Sequence, residues 1–341
     1  HHDLELEHED AELSRGIVLA RKLLAASNRA QEIDFDDMLY LPVKEGLVLP
    51  KFDFVFVDEA QDTNQIQRAL LRKILKPTSR VIAVGDPAQA IYGFRGADSD
   101  SLSLIAREFN CKNLPLTVSY RCPTSVVEYA QQYVTHIEAA PTAPAGTVQH
   151  LGNKWDSKLF AANDLIVCRT TAPLVTLGYK LLRDRIPARI LGREIGAGLK
   201  ALINKLDDGG GIDAMLVSLH EWCVRESEKA YASEKLEKAQ QIEDKASSVR
   251  CLVEAMPESN RTIPALLQVI DTLFSSGTNV VTLCTIHKAK GLEADNVFWL
   301  NSNQCPAKWV KREWQYQQEL NLCYVAITRA KKALTTIQAD R

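Results

Sequence analysis

The chain has 341 residues, a length that favours about two domains, and its content of 46% hydrophobic and 25% charged residues is that of an ordinary globular protein. Its 41 basic and 43 acidic side chains give a net charge of -2, which excludes a uniformly basic nucleic-acid coat but is compatible with a local basic groove. The eight cysteines form no CxxC pair and no Cys/His cluster at zinc spacing, so we predict reduced thiols and no structural zinc. Neither a membrane span nor a signal-peptide pattern is visible, and we therefore expect a cytoplasmic protein.

In chain order, the first predicted element is a helix over residues 11–31, where apolar residues recur at helical spacing. A second helix is predicted to start within residues 34–39, with acidic side chains near the positive end of its dipole. The apolar, β-prone residues 54–57 then predict a strand buried on both faces, as in a parallel α/β sheet. Asp58 and Glu59 follow this strand directly.

The position of Asp58 and Glu59 suggests a role for both acids. Ligands of parallel α/β sheets bind beyond the carboxyl ends of the strands, so the two side chains are expected at the mouth of a ligand cleft. One carboxylate there can hold Mg²⁺ while the other orients or deprotonates a water. On this stretch alone, an acidic turn in solvent explains the two residues equally well.

A second strand is predicted to end at the same cleft. A helix from about residue 62 to residue 76 is stopped by residues 77–79, and the apolar residues 81–84 predict another buried strand. The polar turn 85–89 follows that strand. It should therefore border the cleft beside the two acids.

The segment 90–97 has a composition suited to nucleic-acid contact. Its two glycines allow close approach of the backbone, and Tyr92, Phe94 and Arg95 supply stacking planes and a cation. Burial of the two aromatic rings in the core is an equally good interpretation of this segment alone.

The remainder of the chain predicts a second α/β region interrupted by helices. After the flexible break at residues 207–211, residues 212–274 are predicted to be all-helical, with a one-sided apolar stripe typical of a packing face. The flanking strands are predicted at residues 116–118, 165–170, near 190, 280–284, 296–300 and 333–337, the helices at 124–137, 173–184 and 319–330, and the loops at 141–146 and 309–317.

Five short segments carry polar or glycine-containing motifs: Asp58-Glu59-Ala60-Gln61-Asp62, residues 85–97, Ser119-Tyr120-Arg121, Thr285 to Glu293 with its His-x-x-x-Gly-Leu-Glu pattern, and Tyr324 to Ala330. In this order they resemble the acidic, glutamine-and-DNA-contact, first arginine, His-x-x-x-Gly-Leu-Glu and terminal arginine motifs of the UvrD/Rep/PcrA-like superfamily 1 DNA helicases. The resemblance covers about residues 30–205 and 278–341.

The resemblance implies an α/β fold of RecA-like P-loop NTPase lobes with parallel sheets and a small all-helical insertion. It predicts a partial first motor lobe at residues 1–111, a second lobe at 112–206 and 277–341, and a reduced helical insertion at 207–276. The insertion is much shorter than the corresponding subdomain of the named relatives, which contacts duplex DNA.

The resemblance also assigns roles in ATP hydrolysis with Mg²⁺. Asp58 would hold Mg²⁺, Glu59 would activate the attacking water, and Gln89 would sense the γ-phosphate. Arg121 and Arg329 would be arginine fingers of the second lobe, which neutralise charge in the transition state and are worth about 10³–10⁵ in rate.

Other positions would bind the nucleotide base and sugar. Tyr120 would stack on the adenine, and Glu293 would meet the ribose in the segment that also contains Gly291.

The resemblance predicts single-stranded DNA, or a junction of single- and double-stranded DNA, as the partner. Tyr92, Phe94 and His287 would touch the strand beside Arg95, and Phe94 stands where relatives often carry Trp. A cytoplasmic, nucleoid-associated protein of DNA repair or replication is the corresponding expectation, with no membrane partner.

One motif of the family is absent from the sequence. No GxxxxGK(S/T) phosphate loop, and no Gly-Lys dipeptide, occurs in the chain. We therefore expect a carboxy-terminal portion of a 3′-to-5′ DNA helicase or translocase that is inactive on its own. The alternative is a non-hydrolysing, helicase-derived module that binds DNA or protein, although such a module would not need Glu59, Gln89, Arg121 and Arg329 together.

Overall fold

The computed structural model describes residues 10–29, 32–93, 100–233, 235–310 and 312–339. The chain forms two compact units, which divide between Pro115 and Leu116. The sequence places this division slightly earlier, between residues 111 and 112. Within the described ranges, no helix has the length and apolar character needed to cross a membrane.

The first unit combines helices with a two-stranded parallel sheet. Its described elements are α1 (Asp10–Ser27), α2 (Phe35–Lys44), β1 (Phe52–Val57), α3 (Gln65–Ile74), β2 (Leu75–Ala83) and α4 (Ser101–Glu108).

Helices α2 and α3 both begin with capping boxes. The side chain of Asp34 accepts from the backbone N–H of Asp37 at 2.9 Å, and the side chain of Asn64 accepts from that of Gln67 at 3.0 Å. In each box the second side chain returns a bond to the N-cap backbone, so two otherwise unpaired donors are satisfied. Helix α3 is therefore capped by Asn64 and begins at Gln65, later than the start near residue 62 that the sequence predicts.

Strand β1 lies where the sequence predicts it, but the prediction that both of its faces are buried was wrong. The side chains of Phe54 and Phe56 are 57% and 74% exposed, and Ile82 and Val84 beside them are also exposed. The pairing partner of β1 is β2, and among the described residues of this unit nothing covers the face that carries the phenylalanines. An apolar run encodes a strand, whereas its burial depends on neighbouring layers.

Strand β2 begins earlier than predicted. Helix α3 ends at Ile74 and the strand starts at once with Leu75, whereas the sequence predicts a break at residues 77–79. The register shifts between the pairs Phe52 with Leu75 and Phe54 with Arg80, so the predicted break appears as an irregularity within the strand.

The strands of the second unit are β3 (Val118–Ser119), β4 (Glu138–Ala139), β5 (Thr147–Gly152), β6 (Leu165–Cys168), β7 (Ala188–Ile190), β8 (Val281–Thr285), β9 (Ala294–Leu300) and β10 (Ala330–Ile337). Six of them form a parallel sheet with the order β5-β10-β9-β6-β8-β7, and a separate short ladder joins β3 to β4. The helices of this unit are α5 (Thr124–Ala130), α6 (Ala172–Arg183), α7 (Arg193–Leu206), α8 (Gly211–Ala232), α9 (Leu236–Ala255), α10 (Ile263–Leu273), α11 (Ile286–Ala289) and α12 (Glu313–Ile327).

The core of the second unit joins the sheet to the helical segment. All four residues of β6 are buried between β8 and β9, as the apolar sequence predicts. Helices α8, α9 and α10 contribute residues such as Met215, Val249 and Ile270 to the same hydrophobic cluster as Ile166 of the sheet. The predicted packing face of α9 is confirmed, since Ala239, Ala246, Val249 and Leu252 are all buried.

Two helices in the second unit have boundaries that differ from the sequence prediction, and one edge strand is not predicted. Helix α5 ends at Ala130 instead of near residue 137, and α12 begins at Glu313, within the predicted loop. The edge strand β5 was not predicted, because its sequence TVQHLG has no sustained apolar run or alternation.

Candidate nucleotide and DNA site

Asp58 and Glu59 lie at the carboxyl end of β1, and both side chains are exposed. Glu59 adopts the left-handed conformation with φ 49° and ψ 39°, which is uncommon outside glycine. Its backbone N–H donates to Oδ1 of Asp58 at 2.9 Å. The chain thus turns sharply at the strand end and presents two carboxylates side by side.

The donor set at this turn is compatible with Mg²⁺. Among the described residues, no group of three or more His, Cys, Asp or Glu side chains could hold a metal by itself. Magnesium is usually bound through one or two carboxylates, with water and phosphate oxygens completing its shell, and the exposed carboxylate of Asp58 fits this mode of binding.

A buried amide, to which the sequence assigns no role, connects this turn to the next strand end. The side chain of Gln61 is 2% exposed, and its Nε2 donates to Oε2 of Glu59. Its Oε1 accepts from the backbone N–H of Asp86 at 3.0 Å. The sequence places Gln61 inside the acidic motif, but its partner Asp86 becomes evident only when β1 and β2 are paired.

Gln89 belongs to the turn after β2. Its Nε2 donates to Oδ2 of Asp86 at 2.9 Å, while Oδ1 of Asp86 caps the turn through the backbone N–H of Ala88. The structure therefore brings Gln89 into one hydrogen-bonded network with Glu59, through Asp86 and Gln61. This network lies at the predicted edge of the sheet.

Of the four residues predicted to contact DNA, the structure describes Tyr92 and His287. Tyr92 is half-buried, three residues after Gln89, whereas Phe94 and Arg95 lie outside the described residues. His287 is half-buried on α11, directly after β8, and its neighbour Lys288 forms an ion pair with Glu194.

In the second unit, the predicted ribose ligand Glu293 is bound by the residue that follows the predicted base ligand Tyr120. Tyr120 is 84% exposed, and its neighbour Arg121 donates from Nε to Oε2 of Glu293 at 2.8 Å. Lys331 approaches the other carboxylate oxygen at 3.4 Å. The hydrogen bond from Arg121, followed by that from Lys331, lowers the pKa of the Glu293 carboxyl below its ordinary value.

Gly291 forms the turn that leads to Glu293. Its φ is +83°, and no heavy atom lies within 4 Å of the position that a Cβ would take. The requirement for glycine is therefore one of backbone conformation and not of space.

Arg329 is buried, with 1% of its surface exposed. Its guanidinium donates to the backbone oxygen of Val325 at 3.0 Å, to that of Leu292 at 3.3 Å and to Oγ1 of Thr328 at 3.1 Å. These bonds tie the end of α12 to the turn before Glu293. An arginine finger would have to exchange some of them for phosphate oxygens, and this role stays a prediction.

Parallel α/β units with acids, amides and arginines after their strands define the RecA-like helicase class. Two family models match the chain: the UvrD/REP helicase N-terminal domain over residues 3–110 and the UvrD-like helicase C-terminal domain over residues 211–341. The chain belongs to the UvrD/Rep-like helicase family, as the motifs predict.

The chain is also similar to individual proteins that are named as DNA helicases. DNA helicase II of Haemophilus influenzae is 22% identical over 92% of this chain and 60% of its own length. F-box DNA helicase protein 1 of Schizosaccharomyces pombe is 27% identical over 84% of the chain and 34% of its own length. DNA helicase II of Escherichia coli is 31% identical over 32% of the chain and 16% of its own length. The matches thus span between 16% and 60% of the lengths of these relatives, which is less than two thirds.

Proposed function

We propose that the chain is a motor portion of an ATP-dependent DNA helicase or translocase that moves 3′ to 5′ along single-stranded DNA. The observation that carries this proposal is the network at the ends of β1 and β2, where Glu59 and Gln89 are joined through Gln61 and Asp86. A water-activating acid and a phosphate-sensing amide would have to be held at a fixed separation, and the hydrogen bonds of this network support that arrangement. The relatives' names, which include DNA helicase II, PcrA and Rep, support the same function.

In this proposal the first unit acts on the terminal phosphate. Asp58 would hold Mg²⁺, which would reduce the negative charge on the phosphates. Glu59 would accept a proton from the attacking water, and Gln89 would donate to the γ-phosphate. The water oxygen would bond to the γ-phosphorus while the bond from that phosphorus to the β–γ bridging oxygen breaks, so that inorganic phosphate forms and ADP leaves with the electron pair.

The second unit would recognise the rest of the nucleotide. The exposed ring of Tyr120 would stack on adenine, and Glu293, after the Gly291 turn, would accept from the ribose. Arg121 and Arg329 would neutralise charge on the phosphates in the transition state.

The proposed partner is single-stranded DNA, or its junction with duplex DNA. Tyr92, Phe94 and His287 would stack against bases or contact the backbone, with Arg95 as a cation beside them. The proposed activity fits a cytoplasmic, nucleoid-associated protein that acts in DNA repair or replication.

Strand separation tests the proposal directly. The complete product of the gene is incubated with Mg²⁺, ATP and a labelled duplex that carries either a 3′ or a 5′ single-stranded tail. The proposal expects the 3′-tailed duplex to be separated and the 5′-tailed duplex to remain paired. Separation of neither substrate, together with no DNA-dependent ATP hydrolysis, would refute it.

A binding module without ATP hydrolysis is the second candidate. It is favoured by the side chains of Arg121 and Arg329, which are hydrogen-bonded within the second unit, and by the absence of a Gly-Lys dipeptide from the sequence. Such a module would bind single-stranded DNA with the same affinity in the presence and absence of Mg²⁺ and ATP.

A further inference from the structure

Gln61 differs from the residues around it in being both polar and buried. Only 2% of its surface is exposed, whereas Asp58 and Glu59 are exposed. A buried amide that lacked partners would be costly, but both ends of this one are hydrogen-bonded. Its two partners belong to different strand ends.

The chemistry of these partners fixes the orientation of the amide. The backbone N–H of Asp86 can only donate, so it must face Oε1 of Gln61, at 3.0 Å. The carboxylate of Glu59 accepts, so Nε2 must face it. A glutamate at this position would place its own carboxylate against that of Glu59. An apolar residue would leave the Asp86 N–H without this acceptor.

Gly85 provides the space for this arrangement. A Cβ at residue 85 would lie 2.3 Å from Oε1 of Gln61 and 3.1 Å from the backbone nitrogens of Ala60 and Gln61. The backbone of the turn after β2 thus approaches the Gln61 amide more closely than any residue with a side chain would allow.

We propose that Gln61 is the positioning residue that holds the Glu59 carboxylate and ties it to the turn that carries Gln89. The link runs from Glu59 to Gln61, to the Asp86 backbone, and from the Asp86 carboxylate to Gln89. A displacement of the phosphate-sensing turn is thereby transmitted to the water-activating acid. The effect of this link on catalysis rests on the proposed function, whereas the hydrogen bonds that form the link do not depend on it.

Amide hydrogen exchange and side-chain NMR on the full chain, without nucleotide, test the link. In Gln61→Leu, the Asp86 amide should exchange about tenfold faster, as expected for the loss of one hydrogen bond. The amides of Ala60 and Val84, which donate to backbone oxygens, should keep their rates. Gln61→Glu keeps an acceptor for Asp86 and should stay close to the wild-type rate. Gln65→Leu, an exposed glutamine in the same unit, is the matched control.

The other end of the amide is read from its own NMR signal. The Gln61 side-chain proton bonded to Glu59 should resonate downfield, and Glu59→Ala should remove this shift while the Asp86 amide remains protected. Because Glu59 is exposed, this variant keeps its fold and decides the question even where Gln61→Leu fails to fold. Gly85→Ala should displace the amide and produce both changes together.

Three results would overturn the proposal. The first is an Asp86 amide whose exchange is unchanged in Gln61→Leu, and the second is a Gln61 side-chain signal that is unaffected by Glu59→Ala. Uniform acceleration of Ala60, Val84 and Asp86 in Gln61→Leu would also overturn it, because it would assign Gln61 a general packing role. These measurements need no ATP, so their failure is distinguishable from failure of the proposed function.

Discussion

Glu59 is the residue on which the proposed chemistry depends most. We expect Glu59→Gln, made in the complete product of the gene, to nearly abolish ATP turnover and to leave ATP affinity largely intact. The change keeps the shape of the side chain and removes only the base and its charge. Steady-state ATPase rates and equilibrium nucleotide binding measure the two effects.

The control for this variant is Glu45→Gln, which removes an exposed acid on the same unit that pairs with Lys44. It should leave both quantities unchanged. Turnover at the wild-type rate in Glu59→Gln would remove Glu59 from the catalytic role.

Arg121 and Glu293 form an ion pair that can be tested by titration. We expect Arg121→Ala to raise the pKa of Glu293 towards its ordinary value, because the hydrogen bond from Arg121 is the main cause of its depression. A carboxyl whose pKa is depressed by folding adds stability above its unfolded pKa, and this contribution is lost as the pH falls through the folded value. Carbon-13 NMR of the glutamate carboxyls gives the titration directly.

Lys332→Ala is the matched control for this titration. Lys332 lies 2.6 Å from Asp295, whose pKa it lowers, so the control should move Asp295 and leave Glu293 in place. An unchanged Glu293 in Arg121→Ala would show that the pair is not formed in solution.

At the scale of elements, Arg169 and Glu319 join the end of β6 to α12. The side chain of Glu319 is buried and that of Arg169 is 14% exposed, and the two meet at 2.6–3.1 Å. Glu319 also accepts from the backbone N–H of Ala307. We expect Arg169→Met to destabilise the second unit by about 3–5 kcal/mol, because it leaves a buried carboxylate without its cation. Urea unfolding measures the loss.

The control variant is Lys200→Met, which breaks an exposed ion pair to Asp271 and should lower the free energy of unfolding by about 1 kcal/mol or less. Equal losses in the two variants would contradict the structural role given to the buried pair.

The sequence predicts elements better than it predicts their surroundings. Apolar runs predict both β1 and β6, and both strands exist, but only β6 has neighbours on both edges and is fully buried. Likewise Asp58, Glu59 and Gln89 lie at the strand ends where the parallel-sheet rule places them. The sequence assigns no role to Gln61, because its partner Asp86 is distant in sequence and lies beside it only when β1 pairs with β2.

At the scale of the molecule, the two units differ in their cores. The buried hydrophobic residues among the described part of the first unit are Ala60, Leu71, Ile91 and Ile105, whereas the second unit has an extensive cluster. We therefore expect the first unit of this chain to unfold first, with its exposed apolar sheet face prone to association. Limited proteolysis followed by mass spectrometry should leave a resistant fragment close to residues 116–341. Simultaneous loss of both units would contradict this order.

ATP hydrolysis with saturating single-stranded DNA tests the central claim most directly. The assay compares the 341-residue chain with the complete product of the gene. Phosphates must be held before Gln89, Arg121 and Arg329 can act on them, and the family holds them with a loop whose sequence the chain does not contain. We predict no measurable turnover by the chain alone and DNA-stimulated turnover by the complete product. Robust DNA-stimulated turnover by the chain alone, or none by the complete product, would contradict the account.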